Sequence, residues 1–518
     1  MMIATVAEQG AIAESLTPFL LVLSVSLGVA TLPQVIGWLR QIPYTLLLVI
    51  VGLGLAFVDV RLVNLSPQLI LSIFLPPLLF EAAWNLRWLD LKRNLIPISL
   101  FAIFGVIISV VGVAFGINQF SGVPLATALL VGASLSATDP ISVVALLREL
   151  GAPKRLSTLM EGESLFNDGV AVVAFSLLVG IPLGIEQFDL QVSILRFLVF
   201  VGLGLGVGGL IGFGISYLTQ RFDLPLVEQS LTLVSAYGTY IIIEELGGSG
   251  VIGTVTVGLI LGNFGSRIGM NPRTRIVVSE FWEFIAFFVN SIVFLLIGDQ
   301  IHFDSLAENL DEIAIAIIAV ILTRAIAIYG LGAFSNAIAK SDIDWRSQTA
   351  IWWGGLRGSV SIALALSVPI ALEGRDQIIA TVFGVVLFTL LVQGLTTKPL
   401  LEKLNLLGDE PLRRKYLEAV SRRVALNRVM ERLQQVDKRP EIEPEYYRDR
   451  AALVQGQLDS LQADIRKLRE EHPETRSYAI EQLREELLAI EADTYAEFVR
   501  AGQLNKELAP FLQGVLEE

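Results

Sequence analysis

The feature that most constrains this chain is a step in charge density near residue 400. Of the 118 residues from Leu401 to Glu518, 43 are charged, whereas only 46 of the first 400 are charged. Soluble domains carry charge on about a quarter of their residues. Hydrophobic residues make up 53% of the whole chain. The step therefore predicts an all-α polytopic membrane domain over 1–400 and a helical cytoplasmic tail over 401–518.

Net charge and residue types exclude several functional classes. The net charge is −13, and neither part of the chain has the basic excess that nucleic-acid binding requires. The chain has no cysteine and two histidines. These counts exclude disulfides, thiolate metal sites and cysteine nucleophiles, and they argue against a Ser-His-Asp triad. We therefore expect a protein that is not an enzyme, binds no nucleic acid, needs no cofactor and is embedded in the lipid bilayer.

Thirteen apolar stretches approach the length of roughly 20 residues that crosses a bilayer. The loops between them alternate, since one set carries thirteen Lys and Arg and the other set carries three. By the positive-inside rule, the richer set lies in the cytoplasm. Thirteen spans then place the N-terminus outside and the tail inside, in the plasma membrane (the inner membrane of a bacterium). Twelve spans with one re-entrant segment remain an alternative.

Helix-breaking residues interrupt the fifth span (124–149) and the twelfth span (346–369). Span five contains Thr138-Asp139-Pro140, in which the proline removes a backbone donor and clashes with the preceding turn. Span twelve contains three glycines around Arg357, a buried cation that needs an anion. Irregular backbone is tolerated at membrane depth only where it lines a cavity or is buried in protein. Interrupted helices in corresponding halves of the chain indicate a transporter built from inverted repeats.

The sixth span (161–183) contains polar residues that we expect to face the first break. Ser164 and Asp168 are four residues apart and share one helix face, and Glu163 and Asn167 share the neighbouring face. A carboxylate kept away from water can hold a proton or a small cation, but not readily both. That competition is sufficient for antiport. We therefore predict that Asp168 binds the cation and that Ser164 supplies a neutral oxygen, as hard cations prefer.

The other polar residues at membrane depth suggest supporting roles. Asn167 is neutral where a second acid would add charge, which favours a scaffold role between the two breaks. Asp139 either serves the ion site or hydrogen-bonds the free helix ends. Glu163 and Arg357 are predicted to form a buried ion pair, because an unpaired charge in the membrane is costly.

Small residues recur every four positions in the seventh span (193–219), at Gly204, Gly208, Gly212 and Ser216. The same stretch satisfies the G-x-G-x-x-G pattern, but it lacks the βαβ context of a dinucleotide site. We interpret the repeat as a face along which another helix approaches closely.

The tail contains two apolar stripes with helical spacing, separated by His472-Pro473. Such spacing predicts amphipathic helices, arranged as a hairpin, as a dimer contact or as a plain solvated extension. The first stripe consists of Leu458, Leu461, Ile465 and Leu468, and the second of Ile480, Leu483, Leu487, Ile490, Thr494 and Phe498.

These motifs resemble those of the sodium/proton exchanger family of cation/proton antiporters, in particular its bacterial NhaP-type branch. The matching strings follow one another through the first 400 residues, and they are FLPPLLFE at 74–81, ATDP at 137–140, EGESLFNDG at 161–169 and GLRG at 355–358. The resemblance implies a homodimer that exchanges sodium or lithium for protons by an elevator-like movement. The Asn-Asp pair resembles the electroneutral branch, in which one cation is exchanged for one proton.

The resemblance also implies a division of the membrane domain and a role for each polar residue. A core bundle would comprise about 95–183 and 311–400, and a dimerisation or scaffold bundle about 16–85 and 193–300. The ion would bind Asp168, with Ser164, the main chain around Thr138, and Glu81 completing its shell. The helix breaks and the core would be stabilised by Asp139, Asn167, the Glu163–Arg357 pair and Arg324 in span eleven (311–338).

Two alternatives stay open at this level. Potassium could take the place of sodium, or the chain could be a transporter-like ion sensor that signals through its tail.

Overall fold

The computed structural model divides into two compact units, Met1–Leu406 and Leu407–Glu518. Every regular element in the described part of the chain is helical. The structure describes residues 20–33, 35–37, 39, 42–58, 66–185, 188–221, 224–270, 272–406, 410–436 and 444–471, and the single positions 480, 483, 487, 490, 494 and 498.

The described residues in the first half of unit 1 form eight helices. Two of them include a π-helical stretch, at Leu69–Phe74 and at Leu100–Phe104. The helices are α1 (Leu20–Pro33), α2 (Tyr44–Phe57), α3 (Leu69–Asn85), α4 (Trp88–Arg93), α5 (Leu95–Ser121), α6 (Leu125–Ser134), α7 (Ile141–Glu149) and α8 (Lys154–Leu178).

The second half of unit 1 continues the helical pattern. These helices are α9 (Leu190–Thr219), α10 (Pro225–Glu245), α11 (Gly250–Ser266), α12 (Pro272–Asp299), α13 (Phe303–Glu308), α14 (Leu310–Ala339), α15 (Trp345–Trp353), α16 (Ser359–Leu366) and α17 (Arg375–Lys403). Helix α17 contains a π-helical stretch at Thr389–Gln393.

Several helices are suited to a bilayer by length and composition. In the described residues, α5, α9, α10, α12, α14 and α17 are each long and apolar enough to cross a membrane. Helices α1, α2, α3, α6 and α11 are shorter and apolar. The all-helical, multi-span fold class is therefore confirmed, whereas the count of thirteen spans stays a prediction.

Both predicted interruptions are present. Helix α6 ends at Ser134 and α7 begins at Ile141, while α15 ends at Trp353 and α16 begins at Ser359. Helices α8 and α16 both pack against α6. This packing brings the two breaks and the polar face of α8 together.

Helix packing forms two groups within unit 1. Helices α5, α6, α8, α14, α16 and α17 contact one another around the breaks. Helices α2, α3, α9, α10, α11 and α12 make a second set of contacts, with α12 lying along α2 and α9 along α11. That these groups act as a core bundle and a scaffold bundle stays a proposal.

The small-residue face of α9 packs closely against α11. Gly204, Gly208 and Gly212 are buried, and a Cβ added at Gly208 would lie 2.7 Å from the carbonyl oxygen of Gly253. A Cβ added at Gly206 would meet no atom within 4 Å. The close helix approach is therefore confirmed, and the glycines serve packing.

Unit 2 contains a helical hairpin of α18 (Glu410–Val436) and α19 (Pro444–Glu471). Tyr416 and Val420 pack against Ile465 and Leu468, and Arg469 donates to Tyr416 Oη from Nη2 at 2.8 Å. The first apolar stripe therefore packs on the helix that precedes it. In the second stripe, the side chains of Ile480, Leu483, Ile490 and Phe498 are exposed, and His472-Pro473 lies outside the described residues.

We predict that Gly208→Val destabilises unit 1 by about 1–3 kcal/mol, because the added side chain would meet the backbone of α11. Thermal unfolding of the purified protein in detergent measures the change. The matched control is Gly206→Val, two residues along the same helix, which has open space. Equal unfolding temperatures for the two variants would contradict the close packing of α9 on α11.

Candidate functional site

The two interrupted segments cross each other inside unit 1. The backbone N–H of Asp139 donates to the carbonyl oxygen of Leu356 at 2.7 Å. A glycine at 358 makes this approach possible, since a Cβ there would lie 2.6 Å from Asp139 Cβ. The Asp139 carboxylate accepts from the N–H of Ile141 at 3.2 Å, which helps hold the start of α7. Asp139 therefore stabilises its own break.

Helix α8 holds the first break through Ser164 and Asn167. Ser164 Oγ donates to the carbonyl oxygen of Thr138 at 2.6 Å. Asn167 Oδ1 accepts from the N–H of Thr138 at 3.1 Å, and Asn167 Nδ2 donates to Thr138 Oγ1 at 2.6 Å. All three side chains are buried. The backbone around Thr138 is thus fixed to α8, whereas a link from Asn167 to the second break stays a prediction.

An amide rather than a carboxylate fits position 167 for a specific reason. Asn167 Nδ2 also donates to Glu163 Oε1 at 2.9 Å. An ionised aspartate could only accept at this place, so it would oppose the Glu163 carboxylate at short range. A neutral amide suits position 167 because its nitrogen donates to two acceptors, Thr138 Oγ1 and Glu163 Oε1.

The buried ion pair joins Glu163 to Arg324, and the predicted Glu163–Arg357 pair is wrong. Arg324 Nη1 and Nη2 donate to the two carboxylate oxygens of Glu163, each at 3.1 Å. Arg324 also donates to the carbonyl oxygens of Ile351, at 3.0 Å, and Trp352, at 3.2 Å. Position 355 must be glycine because a Cβ there would overlap the guanidinium. Arg324 therefore caps the end of α15 while it neutralises Glu163.

Arg357 turns towards the other break. Its side chain is fully buried, and Nη1 donates to the carbonyl oxygens of Ala137, at 3.3 Å, and Ser136, at 3.5 Å. Its backbone N–H donates to Thr389 Oγ1 at 3.0 Å. The residue thus caps carbonyls that follow α6, which explains why Glu163 is paired with the other arginine.

Asp168 differs from the polar residues around it. The side chain is buried, and in the described part of the chain its Oδ1 atom has no hydrogen-bond partner. The charged side chains that act on it are Asp139, Glu163 and Arg357. A buried carboxylate oxygen without a donor is costly unless a proton or a cation occupies it. Asp168 is therefore the group in this cluster with ligand capacity to spare.

Glu81 is not brought into this cluster. It lies on α3, where Asn85 Nδ2, one turn further along, donates to its Oε1 at 2.6 Å. The charges that act on Glu81 are Arg148, Glu161 and Glu283. Of the four predicted ion ligands, Asp168, Ser164 and Thr138 are gathered at the breaks, whereas the described hydrogen bond of Glu81 is to Asn85.

The sequence interpretation missed the hydroxyl groups that support the breaks from behind. Thr389 lies in the π-helical stretch of α17 and accepts from the backbone of Arg357. Ser361 Oγ donates to the carbonyl oxygen of Ala137 at 3.4 Å. A buried hydroxyl in an apolar helix beside a broken one is the signal that could have found them.

The chain is similar to proteins with a common function. A model of the family described as "Sodium/hydrogen exchanger, transmembrane" matches residues 21–403. The Na(+)/H(+) antiporter ApNhaP of Aphanothece halophytica is 67% identical over 507 residues, which is 98% of this chain and 97% of that protein. The low-affinity Na(+)/H(+) antiporter NhaS1 of Synechocystis is 59% identical over 98% of this chain and 97% of its own length.

A solved structure shares the fold. The sodium proton antiporter MjNhaP1 from Methanocaldococcus jannaschii superposes with a TM-score of 0.61 at 19% identity. The match covers 74% of this chain and 99% of the other.

We predict that Glu163 is energetically coupled more strongly to Arg324 than to Arg357. Arg324→Gln should cost about 3–5 kcal/mol, because it leaves a buried carboxylate without its cation. Adding Glu163→Gln should recover part of that loss. Thermal unfolding of the four proteins of each double-mutant cycle measures the coupling. A larger coupling between Glu163 and Arg357 would overturn the pairing seen here.

Proposed function

The chain belongs to the sodium/hydrogen exchanger family, and from this premise we propose that it is a secondary antiporter that exchanges Na⁺ for H⁺ across its membrane. Two relatives that cover almost the whole chain bear this activity in their names. The observation in the structure that supports it most directly is the buried Asp168 Oδ1, which has no hydrogen-bond partner in the described residues.

Asp168 is the group for which the cation and the proton compete. Ser164 Oγ and the oxygens of Thr138 lie on the same side of α8 and offer further hard ligands for a monovalent cation. A carboxylate that holds either ligand, but not both, couples the two movements without any covalent chemistry. Alternating access then follows if the group of helices around the breaks moves against the group around α2, α3 and α12.

The surrounding charges suit a one-for-one exchange. Glu163 is neutralised by Arg324, and Asn167 is uncharged. Arg324 and Arg357 are both engaged with backbone carbonyls. Asp168 is then the one ligand whose charge is balanced in turn by a cation and by a proton, so each cycle moves no net charge.

The wider setting of the exchanger is also proposed. We assign it to the plasma membrane as a homodimer, with the N-terminus outside and unit 2 in the cytoplasm. The positive-inside bias of the loops supports this orientation. Sodium and lithium are the proposed substrates, and rates of proton release with lithium, sodium and potassium would rank them.

We predict that Asp168→Asn abolishes cation-driven proton release in sealed vesicles, because an amide cannot exchange a proton for a cation. The variant should still assemble, since Asp168 makes no hydrogen bond that holds the breaks together among the described residues. Asp189→Asn, at the exposed cap of α9, is the control and should keep its activity. Exchange at the normal rate by Asp168→Asn would reject the site.

We also predict that an imposed membrane voltage leaves the exchange rate unchanged. A transporter that moves one net charge per cycle would feel about 2.3 kcal/mol per 100 mV. Potassium-loaded vesicles with valinomycin supply the voltage, and a pH-sensitive dye measures the rate. Strong acceleration by voltage would rule out one cation for one proton.

A further inference from the structure

A charged pair of residues links the helix that carries the proposed ion site to its neighbour α7. Arg148, near the end of α7, forms an ion pair with Glu161 of α8 through Nη2 and Oε1. The Arg148 side chain is 62% exposed and that of Glu161 is 23% exposed. The guanidinium is therefore largely exposed, unlike the buried arginines at the breaks.

This ion pair lies in line with Asp168. Glu161, Ser164 and Asp168 are separated by three and four residues and share one face of α8. Seven residues of α-helix span about 10.5 Å, so Glu161 lies roughly two turns from Asp168 towards the start of α8. The basic loops predict that this end faces the cytoplasm. The pair is therefore predicted to lie on the cytoplasmic side of the ion site, a region that we call the cytoplasmic mouth.

Glu81 is part of this mouth. It lies on α3, which belongs to the other group of helices, and Arg148 is the cation that acts on it. Glu161 and Glu283 are the acids that act on Glu81. Arg148 thus pairs with one acid on α8 and acts electrostatically on another on α3, which belong to different helix groups.

We propose that Arg148 is a tethered cation that sets the apparent affinity of the cytoplasmic mouth for the transported cation. This inference rests on the proposed exchange function. The guanidinium occupies the place among the acids that an arriving cation would otherwise occupy. Its positive charge weakens the binding of cations at the mouth. The guanidinium is displaced when a cation passes to Asp168. Arg148 does not bind the substrate, so it acts through the charge that it places beside Glu161 and Glu81.

The sign of the removed charge should determine the direction of the change in KM. This dependence distinguishes the proposed role from a purely structural link between α7 and α8. If the pair only holds the two helices together, removal of either partner should impair exchange in the same direction. If the charge matters, Arg148→Gln leaves Glu161 uncompensated and attracts cations, whereas Glu161→Gln leaves Arg148 uncompensated and repels them. The double variant restores the original net charge.

The test measures KM for Na⁺ and the maximal rate of exchange at the cytoplasmic face of everted vesicles that contain the full chain. We expect Arg148→Gln to lower KM by roughly fivefold and Glu161→Gln to raise it by a similar factor, the size expected for one unit charge a few ångströms away in water. The double variant should return KM to within about twofold of the original value. Raising the ionic strength with choline chloride should shrink both shifts, because salt screens exposed charges.

Arg87→Gln is the matched control. Arg87 forms an exposed ion pair with Asp90 at 2.6 Å, at the same predicted membrane face but outside the line to Asp168. We expect Arg87→Gln to leave the KM for Na⁺ unchanged.

KM shifts in the same direction for both single variants, or no shift in either, would overturn the proposal for Arg148. Absence of Na⁺-driven proton release in the unmodified chain would instead reject the exchange function. The two failures are therefore distinguishable in one set of vesicles.

Discussion

Free backbone carbonyls inside a membrane are the constraint on which the rest of this structure depends. Each interrupted helix ends inside unit 1 with buried acceptors that cost free energy if left unpaired. An arginine from elsewhere in unit 1 serves each break. Arg324 donates to Ile351 and Trp352, and Arg357 donates to Ser136 and Ala137. Glycines beside the breaks provide the space for these contacts.

The same constraint determines what remains available to a ligand. Ser164 and Asn167 are committed to Thr138, and Glu163 is committed to Arg324 and Asn167. These contacts leave Asp168 as the carboxylate in the cluster with an oxygen that has no described partner. The proposed competition between a cation and a proton thus centres on one carboxylate held among hydrogen-bonded neighbours.

Spacing along the sequence was sufficient to predict the interrupted helices, because breakers are rare in apolar spans, and it placed Asp168 beside them, where its role as the ion ligand stays a prediction. The partner of Glu163 could not be predicted this way. Arg324 and Arg357 are both buried in the described part of the chain, and the choice between them depends on how far α14 and the second break lie from α8. Glu81 illustrates the same limit, since its hydrogen bond is to Asn85 on its own helix and the cation that acts on it is Arg148. Spacing gives the face of a helix, whereas the neighbour across that face depends on packing.

The contacts between the breaks also bear on how the chain is made. Arg357 reaches Ala137 across 220 positions of sequence, and Asp139 hydrogen-bonds Leu356 over a similar interval. During synthesis, the first break is therefore inserted long before the donor that caps it has left the ribosome. Until then, the carbonyl oxygens of Ser136 and Ala137 lack the donor that they have in the complete chain. An early fragment of this protein should consequently be a target for membrane proteases, and survival should depend on completing the second half.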